Sequence, residues 1–317
     1  MNSSLWTDIV DGKRMGIVAR CIRPPLLVLS IFYRLAVWVR NRAYDIGALR
    51  IHRLPRPVIS VGNIVTGGAG KTPCVRFLAD EIEKRGNRAA ILSRGYGAGT
   101  PLQHYPLLVS DGARLLCSAA EAGDEPVMLA KGLAASIVVV DPNRFRGGIT
   151  ASREFALDCF ILDDGFQHRK LHRDLDILLL DCDRPFGNGS LLPAGCLREP
   201  IRSVLRAGVL IVTRSETAPP KELMDELRAL NPRAAIFRAR HRPNRLVEIE
   251  SGTVRDPITL NGKKIAALSA IARPDDFENT LSSLGAVLAC KRAFPDHHSF
   301  SRREIEDVVA EASRRGA

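Results

Sequence analysis

Eight consecutive residues carry the strongest chemical signal in the chain: Val65, Thr66, Gly67, Gly68, Ala69, Gly70, Lys71 and Thr72. Glycines let successive backbone N–H groups turn inward around phosphate oxygens, and a helix N-terminus adds positive potential. Lys71 is suited to the β- and γ-phosphates of a nucleotide, and the Thr72 hydroxyl to Mg²⁺. The run follows an apolar stretch at 58–61 and opens a helical pattern at 72–85, which is the context a phosphate-binding loop requires. The strict pattern has glycine where Val65 stands, but a chance glycine turn does not come with this strand and helix around it. A G-x-G-x-x-G dinucleotide fingerprint is absent, which disfavours a nicotinamide enzyme.

A second signal is the apolar run 159–162 ending in Asp163 and Asp164. Beside a phosphate loop, a strand ending in carboxylates can hold the Mg²⁺ shell; the alternative is a pair of turn acids before Gly165. Gly123-Asp124-Glu125-Pro126 sets two more acids in a turn ahead of an apolar run. Either acid can cap a helix that has Pro126 in its first turn. Phosphoryl transfer to an alcohol, however, needs a carboxylate to accept the hydroxyl proton. His297 and His298 follow Phe294-Pro295-Asp296, and a histidine near such a carboxylate can orient it. His168 and His172 stand four apart but lack a third soft ligand, which argues against zinc.

Continuous apolar runs at 58–61, 89–92, 137–140, 159–162, 176–180 and 209–212 read as strands of a parallel sheet buried on both faces. Helical patterns lie between them, clearest at 72–85 before Gly86, and again at 219–230. The alternation predicts an α/β fold: a P-loop NTPase-like, mostly parallel sheet with helices on both faces. Extended stretches at 234–240, 246–249, 265–271 and 287–294, with helices at 274–284 and 301–312, predict a smaller C-terminal α/β domain. The expected division is 1–54, 55–215 and 216–317. In the first segment, Arg34, Arg40, Arg42, Arg50 and Arg53 stand among Leu26, Leu27, Ile31, Phe32 and Trp38. The apolar run 24–33 is shorter than the roughly 20 residues a spanning helix needs. The mixture predicts a helix lying on a bilayer surface; a helix packed on the protein's own core is the alternative.

The 317 residues carry a net charge of +11, which suggests a polyanionic partner. Aromatics at 5% and the lack of a recognisable binding module disfavour nucleic acid. Seven dispersed cysteines form no C-x-x-C pair and read as reduced thiols in a cytosolic compartment.

Taken together, GNIVTGGAGKTP (62–73), LSRGYGA (92–98), GDEPVMLA (123–130), LDDGFQH (162–168), GNGSLLPAGCLREP (187–200) and FPDHHSF (294–300) resemble the tetraacyldisaccharide 4′-kinase family, in that family's order and over most of the chain. Cys196 stands where the family often has proline. The resemblance implies ATP- and Mg²⁺-dependent phosphorylation of the 4′-hydroxyl of an acylated glucosamine disaccharide 1-phosphate in lipid A biosynthesis. It implies Asp124 as the base, paired with His297, with Lys71 at the phosphates. Thr72, Asp163, Asp164 and Glu199 are implied at Mg²⁺, and Arg94, Tyr96, Asn188 and Arg198 at substrate or phosphate. A monomer on the cytoplasmic face of the bacterial inner membrane, peripheral or monotopic, is the implied setting. The competing reading is a P-loop switch or partitioning ATPase acting through protein partners. Those proteins carry a lysine just before the glycine pair, where this chain has Thr66.

Overall fold

The computed structural model describes residues 16–95, 104–215, 218–271, 273–295 and 298–317. The chain divides into two compact units at Arg240/His241.

The first unit is built on an eight-stranded sheet of order β3-β4-β2-β5-β1-β6-β7-β8. Its strands are β1 (Val58–Gly62), β2 (Ala89–Ser93), β3 (Leu107–Ser110), β4 (Ile137–Val140), β5 (Cys159–Asp163), β6 (Leu175–Asp181), β7 (Val209–Thr213) and β8 (Ala235–Arg238). All neighbours pair in parallel except edge strand β3, which runs antiparallel to β4. Every apolar run read from the sequence as a parallel strand is one, and the side chains show why these runs do not alternate with polar residues. Ile91, Val138, Ile161 and Leu179 face one buried cluster with helix residues Val75 and Ala79. Their neighbours Leu92, Val139, Phe160 and Leu162 face a second cluster on the other side. Both sheet faces are covered, so both residue parities are apolar.

The helices of this unit are α1 (Ile17–Asp45), α2 (Lys71–Lys84), α3 (Ala119–Ala122), α4 (Asp124–Ala130), α5 (Arg144–Glu154) and α6 (Lys221–Leu230). A domain boundary at 216 is not what the contacts give, because β8 hydrogen-bonds to β7 and keeps 218–240 in the first unit.

Helix α1 docks one stripe on the body. Ser30 donates to the Leu191 carbonyl at 2.9 Å, Tyr33 to that of Arg198 at 2.9 Å, and Asn41 to the Glu199 carboxylate at 3.0 Å. Val37 is buried between them, and the spacing of 30, 33, 37 and 41 is that of one helical face. The opposite side exposes Leu27, Ile31, Phe32, Leu35, Trp38 and Val39. The expectation of an apolar run too short to span is corrected here. The helix runs on through Arg34 and joins two runs, so Arg20–Asp45 is long and apolar enough to cross a membrane by length and composition. Pro24 and Pro25 lie inside it.

The second unit pairs β9 (Leu246–Val247) with β10 (Val254–Arg255). It also joins β11 (Lys264–Ser269) in parallel to β12 (Val287–Ala293) through α7 (Pro274–Ser283), and ends in α8 (Arg302–Arg314). Ala267, Leu281 and Ala286 form its core. The His298 ring stacks on Phe294 at 4.7 Å, and its Nε2 lies 3.1 Å from Glu304, the acid of the α8 capping box.

Candidate active site

The C-terminal ends of the parallel strands lie along one sheet edge, and β1 feeds the glycine-rich loop there. Gly67 (φ 109°) and Gly70 (φ 81°) take backbone conformations that only glycine adopts without strain. Gly70 is the N-cap from which α2 departs at Lys71. A Cβ added at Gly67 or Gly68 would meet nothing within 4 Å, so an open cradle lies beside the loop's backbone. Asn63 donates to the Gly67 carbonyl at 3.4 Å, Lys71 to the same oxygen at 3.5 Å, and Arg214 to that of Gly68 at 2.8 Å. Arg214 also pairs with Asp181, at the end of β6.

The outer wall of the loop is the 187–200 segment. The Thr66 N–H donates to the Cys196 carbonyl and the Arg198 N–H to that of Ile64, both at 2.7 Å, and Val65 pairs with Leu197. Val65 is thus a strand-like entry residue, consistent with a β-branched side chain where the strict motif has glycine.

Val61 lies opposite Asp163 in the β1–β5 ladder, which sets the two acids beside the loop. Burial, helped by the charges of Glu125 and Asp164, pushes the Asp163 carboxyl up to about 6, against the pull of Lys71 and Arg144. The Ser93 hydroxyl lies 3.4 Å away. Asp164 is the opposite case. Burial raises it, yet the charges of Lys71 and Arg198 hold it below its ordinary value. Lys71 Nζ is 3.7 Å from Asp164 and Arg198 Nη1 is 2.7 Å from it. Asp164 Oδ1 is buried without a hydrogen bond. Two neighbouring carboxylates thus have contrasting proton affinities.

Gly123 (φ 92°) makes the turn that starts α4, whose first residues are the exposed Asp124 and Glu125. The influence of Glu125 on Asp163 ties this turn electrostatically to the loop edge. Exposed Arg94 follows β2. Asn188 donates to the Ala194 carbonyl at 3.2 Å and accepts from the Ser190 N–H, so it shapes its own loop. Glu199 is the clearest departure from expectation. Its side chain is fully buried, and its oxygens accept from Asn41, Ser203 and Arg206. That set anchors α1 and leaves no open face for a metal. Tyr96 and His297 lie outside the described residues.

Arg214 and Arg144 were not among the expected site residues. Arg214 is the charged residue that ends the apolar run 209–212, a signal of the same kind as Asp163. Arg144 is buried at the start of α5 and acts on Asp163, Asp164 and His168. Burial, with the charges of Arg144, Arg173, Lys170 and Arg94, drives the His168 imidazole down to about 4. The structure therefore gives His168 a neutral, enclosed role and pairs His172 with Asp174 at 3.4 Å.

A glycine loop between a parallel strand and a helix, with acids ending the next strand, defines a P-loop nucleotide-binding α/β protein. The sequence profile described as tetraacyldisaccharide-1-P 4′-kinase (LpxK) matches residues 22–317, and the chain belongs to that family. It is 43% identical over 310 residues to the tetraacyldisaccharide 4′-kinase of Anaeromyxobacter dehalogenans strain 2CP-C, covering 96% of this chain and 80% of that one. To the enzyme of Geobacter sulfurreducens it is 39% identical over 306 residues, with 96% and 84% covered. Among solved structures, it is similar to Aquifex aeolicus LpxK crystallised with ATP. That match has a TM-score of 0.73, 37% identity, and 89% and 84% coverage of the two chains.

Proposed function

We propose that this protein transfers the γ-phosphoryl group of ATP to the 4′-hydroxyl of a tetraacylated glucosamine disaccharide 1-phosphate, a step of lipid A biosynthesis. The observation that carries this reading is the junction of Lys71, Asp164 and Arg198 directly on the open glycine cradle. A triphosphate fits there. Lys71, held by Asp164 and the Gly67 carbonyl, is a cation ready to be taken over by phosphate oxygens. Thr72, Asp163 and Asp164 are the groups that would hold Mg²⁺. Among the described residues there is no cluster of three or more His, Cys, Asp and Glu side chains able to hold a metal. Mg²⁺ takes one or two carboxylates and completes its shell with substrate phosphates and water. Bound ATP and Mg²⁺ supply the phosphoryl group and neutralise its charge.

The residues of the chain do the rest. Backbone N–H groups of 67–72 and Lys71 orient the phosphates, and Arg198 and Arg214 fix the loop's two sides. Asp124 accepts the 4′-hydroxyl proton, and Arg94 and Tyr96 are contacts for substrate or phosphate. The exposed apolar side of α1, with arginines at 20, 23, 34 and 42, suits the cytoplasmic surface of an anionic inner membrane, where a substrate with four acyl chains resides. The family match favours this reading over a switch ATPase.

The test is incubation with labelled ATP, Mg²⁺ and a detergent-dispersed acylated disaccharide 1-phosphate. Labelled lipid from the wild type, with none from Lys71→Ala and little from Asp124→Ala, is the expected result. ATP hydrolysis without labelled lipid would return the switch reading.

A further inference from the structure

The docked stripe of α1 does not end on an inert surface. Tyr33 and Asn41 grip two consecutive residues, Arg198 by its carbonyl and Glu199 by its carboxylate. Those two residues belong to the segment that walls the phosphate loop. The Arg198 N–H holds the Ile64 carbonyl at the loop's entry, and its guanidinium holds Asp164, the partner of Lys71. One residue therefore has its carbonyl on the helix, its N–H on the loop's entry strand and its side chain on the acid beside Lys71.

The fixing of this segment is unusually complete. The Glu199 side chain has no accessible surface and takes Arg206 at 2.7 Å, Ser203 at 2.9 Å and Asn41 at 3.0 Å, with Arg40 at 3.6 Å. Burial is the main influence raising the Tyr33 phenol above its ordinary value, so it remains a neutral donor at any physiological pH. The remaining groups facing outward from α1 have no part in this. Leu27, Ile31, Leu35 and Trp38 point to the opposite side, each more than half exposed.

We propose that Tyr33 and Asn41 are positioning residues for the nucleotide site: the α1 helix latches the Arg198–Glu199 segment and thereby sets Asp164 and Lys71 for ATP. Resting on the phosphotransfer reading, this makes the membrane-facing helix a determinant of nucleotide affinity. A helix loosened from the body lowers ATP affinity at an intact loop, and a helix seated on a bilayer keeps the loop in order.

The experiment uses the full chain in detergent and measures a fluorescent ATP analogue by direct titration, so that it stands apart from lipid turnover. Tyr33→Phe removes one hydrogen bond, and Asn41→Ala removes the bond to the Glu199 carboxylate together with the one Asn41 accepts from Arg40 at 3.2 Å; each raises the nucleotide dissociation constant by roughly five-fold or more, about the worth of a single hydrogen bond. The ATP KM rises with it, while the KM for the lipid stays constant. Ile31→Ser with Trp38→Ser, on the opposite face, loses retention on vesicles containing anionic lipid but keeps wild-type nucleotide affinity. A melting curve for each variant separates latch loss from unfolding. Wild-type analogue affinity in folded Tyr33→Phe and Asn41→Ala overturns the latch. Absence of labelled lipid with the five-fold effect intact overturns the lipid-kinase reading instead.

Discussion

Arg206→Met is the sharpest test of how the first unit holds its N-terminal helix. Arg206 makes a two-pronged ion pair with Glu199, at 2.7 and 3.1 Å, gives a hydrogen bond to the Phe166 carbonyl at 3.3 Å, and lies 4.4 Å over the Phe166 ring. Its removal leaves a fully buried carboxylate with Asn41, Ser203 and a distant Arg40. Breaking a buried pair from one side costs about 3–5 kcal/mol, because a charge is stranded away from water. The methionine recovers part of the packing over the ring but none of the charge. For a unit of this size that is a fall of roughly 10 °C in Tm. Buried Glu199 is raised by desolvation but held below its ordinary value by Arg206, Ser203 and Asn41. Without Arg206 the acid takes a proton more readily, so the loss is largest at neutral pH and shrinks towards pH 5. Glu199→Gln combined with Arg206→Met removes the stranded charge and restores most of the stability. Urea unfolding of the wild type, both single variants and the double variant at pH 7.5 and 5.5 measures all of this. A cost below about 1 kcal/mol for Arg206→Met at pH 7.5, or a double variant no better than the single, would refute the buried-pair argument.

Three further outcomes follow from other contacts. Lys71→Ala removes the cation beside the cradle and lowers kcat about a hundred-fold or more, read by single-turnover transfer, with the Tm little changed. Gly62→Ala puts a Cβ at 2.7 Å from the Phe166 Cβ and 2.8 Å from its backbone nitrogen, and costs about 1–3 kcal/mol in denaturant unfolding, with weaker ATP binding because Asn63 and Ile64 shift. His168 is held near 4 in the fold against 6.5 for a free imidazole, so below pH 6.5 the unfolded chain binds a proton that the native one refuses. Its penalty is absent above that pH and grows as the pH falls towards 4; His168→Gln therefore gains about 2 kcal/mol on the wild type at pH 5 relative to pH 7.5, measured by urea unfolding.

The phosphate loop and the strands around it were legible because their signals are local. A glycine run before Lys-Thr and apolar runs ending in acids need no knowledge of the rest of the chain. Edge strand β3 was not legible: it has four residues, sits outside the β–α alternation and is held by a single neighbour. The α1 helix was legible as amphipathic, but not its continuity through Arg34: an arginine interrupts an apolar run without ending a helix, because it is a good helix former. Glu199 shows the harder limit. In sequence it is an acid in a kinase-like motif. Its metal role fails because Arg206, Ser203 and Asn41 arrive from other parts of the chain, and long-range partners leave no mark on local spacing. Arg214 had the same strand-end signal as Asp163, yet its contact with Gly68 needs the order of strands, which periodicity does not give.

Pro24 and Pro25 carry no amide hydrogen, so inside α1 the carbonyls of Arg20 and Cys21, four positions back, receive nothing from the helical ladder. In hydrocarbon such oxygens are costly; among water and lipid headgroups they are solvated without penalty. Wherever α1 meets a bilayer, its early turns are therefore better placed in the wet outer layer than among acyl chains, unless a neighbouring donor takes up the two oxygens.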